Sequence, residues 1–211
     1  MYTQLMVGGG LFWSLTYILI IRRGFKDKTF GMPLAALCAN ISWEAIFSLI
    51  YPPSPPQIYI NYAWFTLDLI IVLQFLRFGK YEFPKFSIGK FYAIFSITLF
   101  VAFVLILTIT YESHDLQGVY AAFGQNLMMS ILFITMLSRR NGIRGQSMYI
   151  ALFKMLGTGA ASLAFYLYQP ISQNSILLPS LYASIFVVDV IYPILLYRKI
   201  QENKILPWLR L

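Results

Sequence analysis

The chain has 211 residues, of which 59% are hydrophobic, 18% aromatic and only 11% charged. Soluble domains typically contain about 45–50% apolar and about 25% charged residues. A globule of this length cannot hide such a surplus of apolar side chains, so the composition excludes an ordinary soluble domain. It predicts an all-α, polytopic membrane protein.

The formal net charge is +8, which in a soluble protein would suggest a nucleic-acid partner. Here the basic residues lie at the ends of apolar runs, as membrane topology alone requires, so we expect no nucleic-acid partner. The single cysteine, Cys38, cannot form an intrachain disulfide, and the single histidine, His114, stands apart from it. The sequence therefore predicts no metal site.

The apolar runs, taken in chain order, predict seven transmembrane helices in a single domain that spans residues 1–211. A transmembrane helix needs about 20 mostly apolar residues. Segments rich in proline or charge separate the runs, for example "PPSPPQ" at 52–57 and "SRRNGIRG" at 138–145. The predicted spans are about 4–21, 33–51, 60–78, 91–110, 119–137, 149–168 and 177–197.

The loops predict the orientation of this bundle. Lysine and arginine occur in the segments after the first, third and fifth runs and in the tail, whereas the alternate loops contain none. The positive-inside rule then places the N-terminus outside or in the lumen and the C-terminus in the cytoplasm. The membrane would be the endoplasmic reticulum in a eukaryote and the plasma membrane in a bacterium.

Three carboxylates fall inside the predicted spans: Glu44, Asp68 and Asp189. A charged side chain at the bilayer centre costs at least ~2.5–3.5 kcal/mol, so such residues face the bundle interior and are candidates for function. Asp68 has a structural alternative, an ion pair with Lys154 that would hold two helices together. Glu44 and Asp189 have no evident basic partner in the sequence.

The neighbours of the acids predict an aromatic pocket with a few polar groups. Asn40 and Glu44 share a helix face, as do Trp64 and Asp68, because they are four residues apart. Amides in the spans have a second interpretation, as hydrogen-bonding links between helices. Further candidates for the pocket are Trp43, Phe47, Tyr51, Gln125, Asn126, Lys154, Tyr166, Tyr168, Phe186 and Tyr192.

This combination of acids and aromatic rings fits two classes of function. Burial disfavours the charged form of a carboxylic acid, and a neutral acid can donate a proton. Aromatic faces attract cations, so the pocket would suit a cyclisation through carbocations. The same groups would also suit a small proton-coupled transporter. A retinal-type sensor would need a lysine in the last span, which has none before Arg198 and Lys199, and a scaffold would not explain the acids.

Three segments resemble a known family. "NISWEAIFSLIYP" (residues 40–52), "WFTLDLIIV" (64–72) and "DVIYPILLY" (189–197) are similar to the small seven-span membrane terpene cyclases of meroterpenoid and indole-diterpene pathways, the pyripyropene-cyclase-like enzymes. The resemblance extends over essentially the whole chain. The most specific element is Asn-x-x-Trp-Glu, formed by Asn40, Trp43 and Glu44.

The resemblance implies a cofactor-independent cyclisation of a lipophilic prenyl chain attached to an aromatic or polyketide head group. An acid protonates an epoxide, which the chain usually carries at its end, and the double bonds then close successive rings. By the same resemblance, Glu44 donates the proton and Asp189 positions or relays it. Asp68 has a supporting role. The residues expected to support the acids or line the pocket are Asn40, Trp43, Trp64, Phe186 and Tyr192.

Overall fold

The computed structural model describes residues 1–211 and is entirely helical. Most of the helices run from one end of the bundle to the other and are joined by short loops. The helices are α1 (Tyr2–Asp27), α2 (Leu34–Ala45), α3 (Gln57–Phe78), α4 (Ile88–Glu112), α5 (Val119–Arg139), α6 (Met148–Tyr168), the single-turn α7 (Pro170–Gln173) and α8 (Leu177–Glu202).

Six of these helices are long and apolar enough to cross a membrane, rather than clearly seven: α1, α3, α4, α5, α6 and α8. The remaining predicted span, 33–51, forms the shorter apolar helix Leu34–Ile50. It reaches roughly 25 Å at 1.5 Å per residue, whereas the hydrocarbon core is about 30 Å thick. Polar residues inside it, among them Asn40 and Glu44, lower its hydropathy further.

The shorter helix lies inside the bundle, packed against α3, α4 and α5. It begins after Pro33, which lacks the N–H that a preceding turn would need. Its last five residues, Ile46–Ile50, form a π-helical turn in which the Tyr51 N–H bonds to the Ile46 carbonyl at 2.9 Å. Such turns are rare and occur frequently at functional sites.

A network of charged groups closes the end of the bundle where the basic loops meet. Arg210 donates to Asp27 at 2.6 Å, and Asp27 also forms an ion pair with Arg23 at 2.5 Å. Glu82 pairs with Arg144 at 3.2 Å and with Arg140 at 3.6 Å. These contacts connect α1, the loop after α3, the loop after α5 and the chain after α8, so this end of the bundle is fixed by polar contacts.

Helices α1 and α6 approach closely where Gly9 of α1 faces Gly157 of α6. Small residues permit such close packing between membrane helices. A Cβ atom added to Gly157 would lie 2.8 Å from the Trp13 ring and 3.2 Å from the Gly9 carbonyl oxygen. The same addition at Gly159, on the same helix, would meet nothing within 4 Å.

We therefore expect Gly157→Leu to lower the midpoint of thermal unfolding in detergent, because overpacking costs about 1–3 kcal/mol or more. Gly159→Leu is the matched control and should unfold close to the unmodified protein. Equal midpoints for the two variants would contradict the α1–α6 packing described here.

Candidate active site

A cavity of about 740 Å³ lies between α1, α2, α3, α5 and α6. This volume is within the range of small-molecule binding sites, about 300–1,000 Å³. Aromatic and apolar side chains dominate its wall, and a few polar groups interrupt them. The aromatic lining residues are Tyr2, Trp13, Tyr17, Trp43, Phe47, Tyr51, Trp64, Phe123 and Phe165, and the polar ones include Asn40, Glu44, Gln57, Asn61, Gln125, Asn126 and Thr158.

The cavity has a mouth at one end of the bundle and a floor deeper inside. Residues near the mouth come from helix ends and loops, including Tyr2, Ser54 and Gln117, and Ser54 and Gln117 are exposed. Tyr17 and Asn40 form part of the floor and are buried. The loops around the mouth contain no lysine or arginine, so the cavity opens at the end opposite the basic loops.

Glu44 is the only carboxylate among the residues that line this cavity. Its side chain makes no hydrogen bond, and its Oε2 atom is buried without a partner. Buried polar groups are nearly always hydrogen-bonded in proteins, so an unpaired one requires an explanation. A carboxyl group that faces an apolar cavity in this way can donate or accept a proton at a bound molecule.

Asn40 connects two further polar groups at the floor. Its Nδ2 atom donates to the Tyr17 hydroxyl oxygen at 2.6 Å and to Asp68 Oδ2 at 2.5 Å. Asp68 is fully buried behind Asn40 and does not line the cavity, and its Oδ1 atom has no partner. The predicted alternative, an ion pair between Asp68 and Lys154, is therefore wrong: the hydrogen-bond partner of Asp68 is Asn40.

The π turn after Glu44 shapes the wall near the mouth. In a π turn the backbone hydrogen bonds join residues five apart instead of four, so one backbone carbonyl has no partner within the helix. The Phe47 carbonyl accepts a hydrogen bond from Asn61 Nδ2 at 2.9 Å instead. Gln57 donates to Asn61 Oδ1 at 2.9 Å and extends this polar contact towards the mouth. The ring centroids of Trp43 and Phe47 are 4.7 Å apart with the ring planes tilted by 40°, so one side of the segment Leu34–Ile50 presents a continuous aromatic surface.

The loop before α5 is fixed against the same aromatic surface. The Trp43 indole N–H donates to the Gly118 carbonyl at 3.0 Å. Gly118 has φ +68°, and a Cβ atom there would lie 2.2 Å from the Phe47 ring, so both backbone and space require glycine. Asp115 accepts from the N–H groups of Gln117 and Tyr120, which satisfies donors at the start of α5.

Asp189 lies outside the cavity that Glu44 lines, in a buried ion pair with Lys154. Lys154 Nζ is 2.7 Å from Asp189 Oδ1 and 3.0 Å from Oδ2. The expectation that Asp189 has no basic partner is therefore wrong. Sequence separation could not reveal the partner, because the contact depends on α6 and α8 being neighbours in the bundle.

Phe186 and Tyr192 also lie away from this cavity. Phe186 instead lines a second cavity of about 430 Å³ between α6 and α8, together with Asp189. Phe186 is 59% exposed on the outer surface of α8, where a membrane protein contacts lipid. Tyr192 is buried and donates to Gln146 Oε1 at 2.9 Å, nearer the basic end of the bundle. Three-residue steps turn a helix by about 300°, so the faces of Phe186 and Tyr192 differ by about 120°.

Of the predicted residues, Asn40, Trp43, Glu44 and Trp64 line the cavity together with Phe47, Tyr51, Gln125 and Asn126. The sequence analysis missed Trp13, Tyr17 and Thr158, which also line it. Tyr17 and Trp13 lie one turn apart in α1, so their shared face was a usable signal. No group of three or more histidine, cysteine, aspartate or glutamate side chains is arranged to hold a metal ion.

The fold and this site define a class of protein: an integral-membrane α-helical bundle with an aromatic, small-molecule cavity that a single carboxylate lines. The chain belongs to the Pyr4-like transmembrane terpene cyclases, whose family model matches residues 1–203. The family resemblance predicted from the sequence is thereby confirmed.

Individual relatives come from fungi. The chain is 31% identical to the Pyr4-family terpene cyclase mfmH of Annulohypoxylon moriforme, over 76% of this chain and 68% of that protein. It is 26% identical to terpene cyclase macJ of Penicillium terrestre over 74% of this chain and 63% of the relative. It is 30% identical to terpene cyclase penB of Penicillium crustosum, over 72% of this chain and 65% of that protein. The chain thus spans about two thirds of the length of these relatives. No solved structure matches it.

Proposed function

We propose that this protein is a terpene cyclase that protonates a prenyl chain, usually epoxidised, on an aromatic or polyketide head group. The observation that carries the proposal is Glu44, a carboxyl group with an unpartnered oxygen in an aromatic cavity inside a membrane protein. Family membership and the cyclase names of the relatives support the same activity.

In the proposed reaction, the Glu44 carboxyl donates its proton to the epoxide oxygen. An O–H bond forms, and the bond between that oxygen and the tertiary carbon breaks, which leaves a hydroxyl group and a tertiary cation. The electron pairs of successive double bonds then form the ring bonds. Loss of a proton from carbon to water ends the cascade, and the Glu44 carboxylate takes a proton back from water, so the product is an isomer of the substrate and the acid is restored. No metal or cofactor enters this scheme.

The surrounding residues have distinct proposed roles. Asn40 lies one turn from Glu44 and, held by Asp68 and Tyr17, fixes the floor of the cavity. The rings of Trp43 and Trp64 line the path of the cation, which their faces attract. Asp189 does not contact the cavity, so its role is positioning rather than direct proton transfer.

We further propose that Leu34–Ile50 also inserts into the membrane, which makes seven segments with the N-terminus outside or lumenal. Its burial among α3, α4 and α5 supports insertion despite its length. The separation of basic from non-basic loops supports the orientation. The lipophilic substrate would then enter at the end of the bundle away from the cytoplasm.

The test is incubation of membranes that contain the protein with epoxyfarnesyl and epoxygeranylgeranyl aromatic compounds, without added metal or nucleotide. We expect cyclic products of unchanged mass, identified by mass spectrometry and NMR. Matched membranes with the Glu44→Gln variant should give none. Absence of product over a broad panel, together with proton-coupled uptake of a solute, would replace the cyclase by the alternative, a small proton-coupled transporter.

A further inference from the structure

Lys154 is unique among the 16 lysine and arginine residues of the chain. All the others lie in or beside the loops at the basic end, whereas Lys154 lies inside α6, almost two turns from its first residue. Its side chain is only 1% exposed. A buried cation in a membrane helix is costly, so such a residue is a candidate for function together with its partner.

Four contacts surround the Lys154 ammonium group. Besides the two bonds to Asp189, Nζ donates to Ser130 Oγ at 2.6 Å and to Asn126 Oδ1 at 3.3 Å. It also lies 5.9 Å from the centroid of the Trp13 ring, which lines the cavity. The ion pair is therefore immediately behind the cavity wall, and Asn126 lies between the pair and the cavity.

These contacts fix the orientation of the Asn126 amide. An ammonium group has only donors, so it accepts nothing from an amide N–H and requires the carbonyl oxygen of Asn126 to point towards it. The amide nitrogen then points the other way, where it donates to Thr158 Oγ1 at 3.0 Å. Asn126 and Thr158 both line the cavity, so Lys154 determines which amide atom the cavity wall presents.

We propose that Lys154 and Asp189 act as one neutral positioning unit that orients Asn126 in the cavity wall. Asp189 contributes to cyclisation only by balancing the charge of Lys154 and exchanges no proton with the substrate or with Glu44. This inference rests on the proposed cyclase function and assigns Lys154 and Asn126 a part in it.

Charge explains why the two residues depend on each other. Without Asp189, the Lys154 cation would remain unpaired behind the wall and would repel a carbocation in the cavity. Without Lys154, the Asp189 carboxylate would be buried with no partner. Removal of one member of a buried ion pair is strongly destabilising, whereas replacement of both members is often neutral.

The first experiment compares Asp189→Asn, Lys154→Gln and the double variant K154Q/D189N in the cyclisation assay. The double variant has no acid and no ammonium group, but its two amides can still hydrogen-bond to each other. We expect each single variant to lose about 100-fold or more in kcat/KM and the double variant to recover to within about tenfold of the unmodified protein. Thermal unfolding in detergent measures whether each variant is folded.

A second set of variants tests the role of Asn126. We expect Asn126→Leu to change the ratio of cyclic products, because the wall then lacks its oriented amide. In a Lys154→Met/Asp189→Leu background, which cannot orient the amide, we expect the same altered ratio. Addition of Asn126→Leu to that background should change the ratio no further. A purely structural ion pair would instead leave the product ratio of the Lys154→Met/Asp189→Leu protein equal to that of the unmodified protein.

Each result has one interpretation. A folded K154Q/D189N protein that is as inactive as Asp189→Asn would show that Asp189 is needed as an acid and would overturn the proposal. A product ratio unaffected by Asn126→Leu would overturn the assignment of Asn126. If the unmodified protein cyclises nothing, the proposed cyclase function fails instead, and this failure is recognised before any variant is compared.

Discussion

Replacement of Glu44 by glutamine is expected to abolish cyclisation, with a loss of about 10²–10⁴-fold or more in kcat, the range that a general acid contributes. Glutamine has nearly the size of glutamate and can occupy the same place in the cavity, but it has no acidic proton. Because Glu44 Oε2 has no partner in the protein, the substitution breaks no internal hydrogen bond. The unfolding midpoint in detergent should therefore change little.

The control for this variant is Glu112→Gln, at the exposed end of α4, which removes one carboxylate that does not line the cavity. It should retain full activity. Glu44→Asp keeps the acid but shortens the side chain and should retain a measurable part of the activity. If Glu44→Gln kept most of its activity in the same membranes, another group would have to supply the proton.

Replacement of Asn40 by leucine is expected to have the second largest effect, on both stability and activity. Asn40 provides the only hydrogen bond to the fully buried Asp68. A buried acceptor left without its donor costs about 1–3 kcal/mol. The same substitution releases the Tyr17 hydroxyl at the cavity floor, so we expect a lower unfolding midpoint and at least about a tenfold loss of kcat.

Asp68→Asn is the informative comparison, because its side-chain oxygen can still accept from Asn40. We expect it to be much milder than Asn40→Leu in both measurements. The double variant Asn40→Leu/Asp68→Leu should regain part of the stability, since no carboxyl group is then left without a partner, but should not regain activity. Full activity in that double variant would show that the floor contacts are structural only.

The sequence contains enough information for the helices and for one wall of the site. Apolar runs and loop chemistry identify each long helix, because both reflect the thickness and polarity of the bilayer. The i, i+4 rule correctly places Asn40 and Glu44 on a common wall, since both residues belong to one helix. The spacing of residues within α2 thus predicts which of them share a face.

Contacts between helices are a different matter, and Lys154 illustrates the reason. Its position in the sequence is compatible with a partner in any neighbouring span, and both Asp68 and Asp189 have the necessary charge. The choice depends on the packing of α6 against α8, which side-chain volumes along the whole bundle determine. The π turn is equally hidden, because five residues such as Ile46–Ile50 have no distinctive composition.

That π turn also sets how the residues after it are rotated about the helix axis relative to Glu44. A π turn is equivalent to one residue inserted into a regular helix, and it shifts everything beyond it by about 100°. Glu44 precedes the turn, whereas Tyr51 and the proline loop follow it. The π turn therefore sets the rotation of the mouth residues about the helix axis separately from that of Glu44. A single insertion or deletion between residues 46 and 50 would reshape the entrance while Glu44 kept its place.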